Sequence, residues 1–523
     1  MIILAFNITH DASVTLLKDG EIVFHQQEER LTHQKRDSSP INSLISVKDY
    51  TDYVDFCAYT FTDTNNDGAV FTYCKYITQI LGISVGKFVK LSEEHHLLHA
   101  LCGFVHSGFD DAAVMVMDSG GADVEDGTEV ESIYTISKPD TIDVVEKKFS
   151  GKGSYLGAGQ VYSGVTSYLG WDGLECGKTM GLYSYGKDDP SIKKMITSKG
   201  GDPFLFRHDK KYKETVGVYP KEYPELKEAK REDIAYKVQK DFEDYLFEYA
   251  MKTIELTGKK QLVWTGGCAL NCAANFNLKK RLPEDVRLYV EPICADCGVS
   301  IGAAYFCQLI SSGLHQSDRL STLYLGRELK HDYKLNVGER QKFTTHKEVA
   351  KLISEGNIVA ICQGKSESGP RALGNRSILF DPRNPNGKDI VNSVKGRESF
   401  RPFAGTVLLE HTKEWFDMGG LEESPNMMYT VDVLQPDKIP AITHVDNSCR
   451  IQTLRREQNP LYYKLIDEFY KLTGVPILFN TSFNLAGDTI VETISDALNT
   501  LRKSKIEYLF LPELNRLVKV SNE

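Results

Sequence analysis

The 523-residue chain lacks any apolar run near the roughly 20 residues that a helix needs to span a bilayer. Its first residues, Met1 to Ser13, carry no basic stretch and reach Asp11 too soon for a secretory signal. The expectation is a soluble, cytoplasmic protein with no membrane partner. Cysteine is sparse and odd in number: 11 residues, thinly spread, fit reduced thiols rather than a secreted disulfide framework. No charge sign dominates. Lys+Arg 62 against Asp+Glu 72 leaves −10, so no overall field favours nucleic acid or anionic membrane, although a local basic face stays open. With 18 prolines and 41% hydrophobic residues, the composition excludes collagen-like and wholly disordered chains.

What is present is an alternation of short apolar runs and turns. Met1 to Phe6 reads as a buried strand. Val14 to Leu17 and Glu21 to Phe24 follow it, joined by Lys18-Asp19-Gly20. The pattern returns at Ala112 to Met117, which ends in Asp118-Ser119-Gly120-Gly121 and is answered by Glu131 to Ser137. The repetition predicts a duplicated α/β fold. Gln261 to Trp264 leads through Thr265-Gly266-Gly267 into an expected helix, Cys268 to Leu278. The turn Pro292 to Gly298 leads into another, Val299 to Leu309, and a further helix is expected from about Lys227 to Thr257. The charged stretch from about Ser317 to Lys347 reads as a linker, giving domains 1–335 and 346–523. In the second domain, helices are expected at His346 to Glu355 and Pro460 to Thr473, and strands at Ile358 to Cys362 and Pro476 to Phe479.

Three groups of residues carry chemistry. His95 and His99 stand at i and i+4, which on a helix puts both imidazoles on one face, as ligands for a divalent metal or as a surface histidine cluster. Asp118 and Asp296 lie at turns after apolar runs, where a carboxylate either joins such a metal or caps a helix. Gly120-Gly121 and Gly266-Gly267 let backbone approach a phosphate, with Asn271 and Asn275 on one face of the helix that follows, placed to meet a ribose or phosphate. Cys268-x3-Cys272 and Cys294-x2-Cys297 loosely imitate a zinc site, against which stands their irregular spacing. The densest signal runs from Gln363 to Ser377, followed by Lys388, Lys395, Arg397, Arg401, Arg450, Arg455-Arg456 and Asn480-Thr481-Ser482-Phe483-Asn484. Cations set among rigid Gly and Pro turns imply a fixed phosphate or nucleotide site.

At this point the sequence resembles the ATP-dependent O-carbamoyltransferases, the nodulation-protein and antibiotic-tailoring type. The marks are His10-Asp11-Ala12-Ser13, the His95/His99 pair, Gly177-Lys178-Thr179-Met180-Gly181-Leu182, Gly266-Gly267-Cys268-Ala269-Leu270-Asn271, Gly369-Pro370-Arg371-Ala372-Leu373-Gly374, Arg401-Pro402-Phe403-Ala404 and Asn480 to Asn484. The resemblance spans essentially the whole chain. It implies an N-terminal TsaD-like domain of the actin/Hsp70/sugar-kinase class and a C-terminal YrdC-like α/β domain. The second would make carbamoyl-adenylate from carbamoyl phosphate and ATP, with Mg(II). The first would pass the carbamoyl group to an acceptor hydroxyl.

By the same resemblance, Lys395, Arg401, Arg450 and Ser482 bind carbamoyl phosphate, with Arg371 and Asn480 lining that site. His95, His99, Asp118 and Asp296 ligate a divalent metal, iron(II). His10 is a candidate general base, with a structural role as the alternative. Gly120, Gly121, Gly266, Gly267 and Asn271 hold the adenylate. The sequence departs from the family pattern at Ser119-Gly120-Gly121, at Leu182 to Gly186, and in having Cys294 and Cys297 beside Asp296.

The acceptor is a sugar or other small-molecule hydroxyl, or a hydroxymethylpyrimidine in DNA. For DNA speak the basic residues between Lys187 and Lys213 and the rings of Tyr155, Tyr162, Tyr168, Trp171, Tyr183 and Tyr185, which could stack on an extruded base. Against it speak the net charge, the interleaved acids and a solvated-face or core reading of the same residues. Two competing readings are threonylcarbamoyl modification of tRNA and an ATP-driven chaperone of the actin/Hsp70 class.

Overall fold

Asp19 and Gly20, with φ of 51° and 89°, close a two-residue turn of the kind whose twist matches an antiparallel pair. They join β2 (Ser13–Lys18) to β3 (Glu21–Gln27). In the computed structural model, which describes residues 1–62, 67–151, 155–197, 200–201, 206–208, 216–218, 224–316 and 318–520, this hairpin pairs with β1 (Ile2–Asn7). On the other side of β1 lie β4 (Tyr53–Thr60) and β5 (Ser84–Lys90), both parallel to it, giving the order β3-β2-β1-β4-β5. Leu4, Phe6, Val14, Leu16 and Phe24 fill one core cluster against this sheet.

The arrangement then repeats. Helix α1 (His95–Ser107) leads to β6 (Asp111–Met117), which pairs antiparallel with β7 (Gly127–Ser137); β7 pairs in turn with β8 (Thr141–Gly151). The long helix α2 (Arg231–Thr257) precedes β9 (Gln261–Thr265), parallel to β6, and β10 (Arg287–Val290), parallel to β9. Strand for strand, β6 to β10 repeat β1 to β5, so the duplicated α/β fold expected from the sequence is present. Between β9 and β10 the expected helix starts later. Gly267–Leu270 forms a 3-10 turn, and α3 (Cys272–Arg281) begins only after Asn271, whose side chain caps it by accepting from the Ala274 N–H at 3.1 Å. Helix α4 (Val299–Ser312) closes the repeat.

The chain divides into two compact units. The first comprises Met1–Glu28 and Asp37–Leu320; the second comprises Ser321–Glu523 together with Glu29–Arg36, eight residues from near the start of the chain. The second unit is built on a ten-stranded sheet. Its centre runs, in spatial order, through β12 (Val359–Cys362), β13 (Arg376–Phe380), β18 (Ile477–Ser482), β14 (Ala404–Leu408) and β17 (Ser448–Leu454). The pairs β11 (Arg340–Phe343) with β20 (Arg516–Lys519) and β15 (Phe416–Asp417) with β16 (Thr430–Val433) lie at its two edges. β19 (Tyr508–Leu511) joins β20 to β12. Its helices show their sequence signals plainly. α5 (His346–Ser354) starts on a Thr345/Glu348 capping box, and α7 (Pro460–Thr473) has Asn459 as cap, Pro460 in its first turn and left-handed Gly474 at its end. α6 (Gly387–Lys395) lies between them. No helix among the described residues is long and apolar enough to cross a membrane.

Candidate functional site

In the first unit, the turns that follow β1, β6, β9 and β10, strands of two sheets, meet one another beyond the carboxyl ends of the strands, where α/β folds bind ligands. β6 delivers Asp118, and the 3-10 turn after β10 delivers Asp296. α1 presents His95 and His99 one turn apart, both fully buried. The two Nε2 atoms face each other at 3.1 Å. His95 Nε2 lies 3.5 Å from Asp296 Oδ1, and His99 Nε2 lies 3.5 Å from Asp118 Oδ2 and 3.7 Å from Asp296 Oδ1. All four donor atoms fall within 4.8 Å of one another. Burial opposes the charge on His99, but hydrogen bonds to Asp118 and Asp296 outweigh it and push its pKa up to about 9. Burial likewise opposes the charge on Asp296, yet His95 and His10 hold its carboxyl well below the usual range.

Two imidazoles and two carboxylates converging on one point are the donor set of a borderline divalent cation. The geometry fits: both Nε2 atoms turn inward, toward each other and toward the two carboxylates. His10 approaches the same centre, its Nδ1 3.5 Å from Asp296 Oδ2 and its side chain 44% exposed. Sequence reasoning passed over Thr9, whose hydroxyl reaches Asp296 Oδ2 at 3.0 Å. No spacing pattern links positions so far apart.

The glycines serve this geometry in two ways. A Cβ on Gly121 would stand 3.0 Å from the His96 ring and 3.1 Å from the His95 ring, so the turn after Asp118 must be bare for α1 to pack there. Gly266 has φ of 90°, and a Cβ on it would lie 2.3 Å from the Met117 carbonyl; this lets Gly267 N–H approach Asp118 Oδ2 at 3.3 Å. Gly120 is partly exposed beside Thr128. Asn271 turns toward α2, its Nδ2 donating to Gln239 Oε1 at 2.9 Å. Asn275 corrects a sequence expectation: it is fully buried, accepts from Trp264 Nε1 at 3.0 Å and donates to the Ala269 carbonyl at 2.8 Å, so it is a core residue with no face for a ribose.

The second unit holds a cluster of another kind. Lys395, the last residue of α6, is 2% exposed. Its Nζ donates to the Ser482 carbonyl, to Asn484 Oδ1 at 3.0 Å and to Ser482 Oγ at 3.3 Å, while the Ser482 hydroxyl donates to Asn484 Oδ1 at 2.7 Å. Burial, then Arg397, Arg401 and Lys35, hold the Lys395 pKa well below its usual value. Arg397 is pushed down too, by burial and by Arg401 and Arg450, and stacks on Phe403 at 4.7 Å. The Nε atoms of Arg397 and Arg450 are buried with no partner, and Glu398 stands 3.8 Å from Arg401. Asn480 is 1% exposed, its Nδ2 spent on Ala372 O and Thr406 Oγ1 at 3.2 and 3.0 Å, which leaves Oδ1 buried and open. It therefore fastens the turn that carries Arg371. Arg30, in the segment Glu29–Arg36, is 1% exposed; its Nη2 donates to the Gly369 carbonyl at 2.7 Å, while Nε and Nη1 are buried without partners. Nothing in the sequence near Arg30 pointed to a turn 339 residues away.

Comparison with known proteins decides the family. Residues 72–305 match the carbamoyltransferase N-terminus, and residues 350–517 match the carbamoyltransferase C-terminus. The chain belongs to the carbamoyltransferase family. It is an enzyme, a transferase. This carbamoyltransferase is 31% identical to nodulation protein NolNO of Sinorhizobium fredii over 96% of its own length and 78% of that protein's. It is 33% identical to the 3'-hydroxymethylcephem-O-carbamoyltransferase of Streptomyces clavuligerus over 46% of each chain. Among solved structures, full-length HypF in its phosphate- and nucleotide-bound form aligns over 60% of this chain and 47% of that one, at 13% identity and a TM-score of 0.42.

Several aromatic residues of this carbamoyltransferase that could have stacked on a base are occupied within the protein. Tyr162 is 5% exposed and donates to Gln239 Oε1 at 2.7 Å; Tyr155 donates to Glu131 Oε2 at 2.6 Å. Trp171 faces the Arg231 guanidinium at 4.9 Å. Of the basic run, Lys199, Lys210, Lys211 and Lys213 lie outside the described residues. The imitation zinc motif is not assembled: no disulfide joins any of the 11 cysteines, and Cys268, Cys272, Cys294 and Cys297 do not form a ligand group among the described residues.

Proposed function

We propose that this enzyme is an ATP-dependent O-carbamoyltransferase in which the second unit, the YrdC-like part, forms carbamoyl-adenylate and the first, the TsaD-like part of the actin/Hsp70/sugar-kinase class, transfers the carbamoyl group to a small-molecule hydroxyl. The observation that carries the reading is the cluster of buried Lys395 with half-buried Arg397, Arg401 and Arg450, whose like charges crowd one another. Such a cluster requires an anion of high charge, and carbamoyl phosphate and ATP both supply one. Water attacks the phosphorus of carbamoyl phosphate, the bridging P–O bond breaks, and carbamate and inorganic phosphate result. A carbamate oxygen attacks the α-phosphorus of ATP, and pyrophosphate leaves. The acceptor oxygen then attacks the carbamoyl carbon, and AMP leaves with the bonding pair.

Lys395 and Ser482 hold the phosphate end, and Arg450 and Arg401 neutralise it. In the first unit His95, His99, Asp118 and Asp296 hold a divalent metal, which when bound supplies Lewis acidity at the carbamoyl carbonyl. His10, half-exposed beside Asp296, accepts the acceptor's proton. The occupied Tyr155 and Tyr162 favour a small-molecule acceptor over a base flipped from DNA.

Pyrophosphate release from ATP and Mg(II) should depend on carbamoyl phosphate and disappear in Ser482→Ala. Release without carbamoyl phosphate would sink the reading. Offering a sugar alcohol and hydroxymethylcytosine DNA side by side, with mass spectrometry of the products, decides the acceptor; carbamoylated DNA would overturn the small-molecule assignment.

A further inference from the structure

The helix that carries His95 and His99 carries a second pair at the same spacing. Cys102 and His106 follow on α1, and Glu291 comes to them from the residue after β10. Cys102 Sγ lies 3.7 Å from His106 Nδ1, which lies 3.1 Å from Glu291 Oε2. The three ligand atoms fall within 4.8 Å of one another. Tyr289 Oη stands 3.3 Å from the same Glu291 oxygen, and the Ile293 N–H donates to the other at 2.7 Å. The site is dry: Cys102 is 1% exposed, and the side chains of His106 and Glu291 are 1% and 0% exposed.

Charge is the difficulty at this position. His106 is the basic side chain in contact with the Glu291 carboxylate, and the Arg319 guanidinium stands further out, over the Tyr289 ring at 5.2 Å from its centre. If His106 were an imidazolium, it would balance the carboxylate but bury a positive charge; its Nε2–H has no acceptor in either form, and ligation through Nδ1 leaves that N–H uncharged. If His106 were neutral, the carboxylate charge would stand alone. One thiolate, one carboxylate and one neutral imidazole cancel a divalent cation. The Sγ–Nδ1 and Nδ1–Oε2 separations of 3.7 and 3.1 Å are edges of a tetrahedron with bonds of about 2.3 Å to sulfur and about 2.1 Å to nitrogen and oxygen.

We infer that Cys102, His106 and Glu291 hold a second, structural divalent cation, zinc by its donor set, with the Tyr289 hydroxyl at the fourth position. It ties α1 to the end of β10 one turn along the helix from the first centre. Burial keeps the Cys102 thiol protonated without the ion, so loading releases that proton to solvent.

The test uses cobalt as a reporter, with the full-length enzyme produced in Co(II) medium so that the ion enters during folding. A thiolate-to-cobalt charge-transfer band in the near ultraviolet requires a cysteine ligand, and the four donors of the first centre include none. The wild type should show the band; Cys102→Ser should lose it together with one equivalent of metal; His99→Ala should keep it. A wild type without the band overturns the inference. So does a band that survives Cys102→Ser, or one that vanishes with His99→Ala, since either places the thiolate elsewhere. Should a variant not fold, X-ray absorption at the zinc edge of the zinc-loaded wild type decides: one sulfur at about 2.3 Å is expected, and none would refute the site.

Discussion

The His95–Asp296 centre is buried and the Lys395–Arg450 cluster half-buried, and in these two polar clusters the charges are arranged in opposite ways. In the first, two imidazoles face two carboxylates, and each side raises the other's charge: His99 moves up and Asp296 moves down. In the second, like charges crowd together, and Lys395 and Arg397 both move down. The first centre can therefore stand assembled before its ligand arrives. The second is under electrostatic load, which the proposed polyanion would relieve on binding.

The largest break in this comparison should come from His99→Ala. Removing one of four donors should lower carbamoyl transfer by more than about a hundredfold while pyrophosphate release is retained, read by single-turnover assays on each half-reaction. Equal loss of both steps would mean that the two clusters do not divide the chemistry. Arg450→Met comes next. Adenylate formation should fall by about tenfold to a hundredfold, the worth of one charged hydrogen-bond partner, while the ligand-free enzyme should be no less stable to urea.

The third prediction concerns pH. The folded-state pKa of Lys395 lies below its unfolded value of 10.5, so between those two values the unfolded chain binds more protons and stability must rise with pH. In metal-free enzyme His99 runs the other way: its folded pKa of about 9 exceeds the unperturbed 6.5, so its contribution is full below 6.5 and is lost as pH climbs through 9. Thermal melts of the metal-free enzyme with and without saturating inorganic phosphate should separate the two. Phosphate should flatten the Lys395 slope and leave the His99 slope intact.

Smaller still, Arg30→Met should leave ligand-free stability within about 1 kcal/mol of wild type or raise it, because an unpaired buried cation is exchanged for an apolar chain of similar size. A loss of several kcal/mol in urea would show that Arg30 already has its partners. Tyr162→Phe should cost about 1 kcal/mol, the worth of its hydrogen bond to Gln239, and leave acceptor choice unchanged.

Much of this was legible from the chain. The duplicated strand pattern, the ends of α5 and α7, and the convergence of His95, His99, Asp118 and Asp296 follow from local periodicity, caps and motif. Other features were not. Asn275 shares a helical face with Asn271, but only the fold reveals that Trp264 already occupies that face. Thr9 and Arg30 are short-range nonentities whose partners, Asp296 and Gly369, lie hundreds of residues away. The Cys102/His106 pair was hidden for the same reason, since Glu291 completes it from 185 residues downstream.

The eight residues Glu29–Arg36 set an order of events in synthesis. They leave the ribosome well before Ser321, where the rest of the unit they belong to begins. At about 5–20 residues per second they must wait tens of seconds for it. The second unit is therefore not a detachable module: residues 321–523 expressed alone would lack Arg30 and Lys35. Adding back a peptide that spans Glu29–Arg36 is the natural way to ask whether an early-made segment can still find a late-made home.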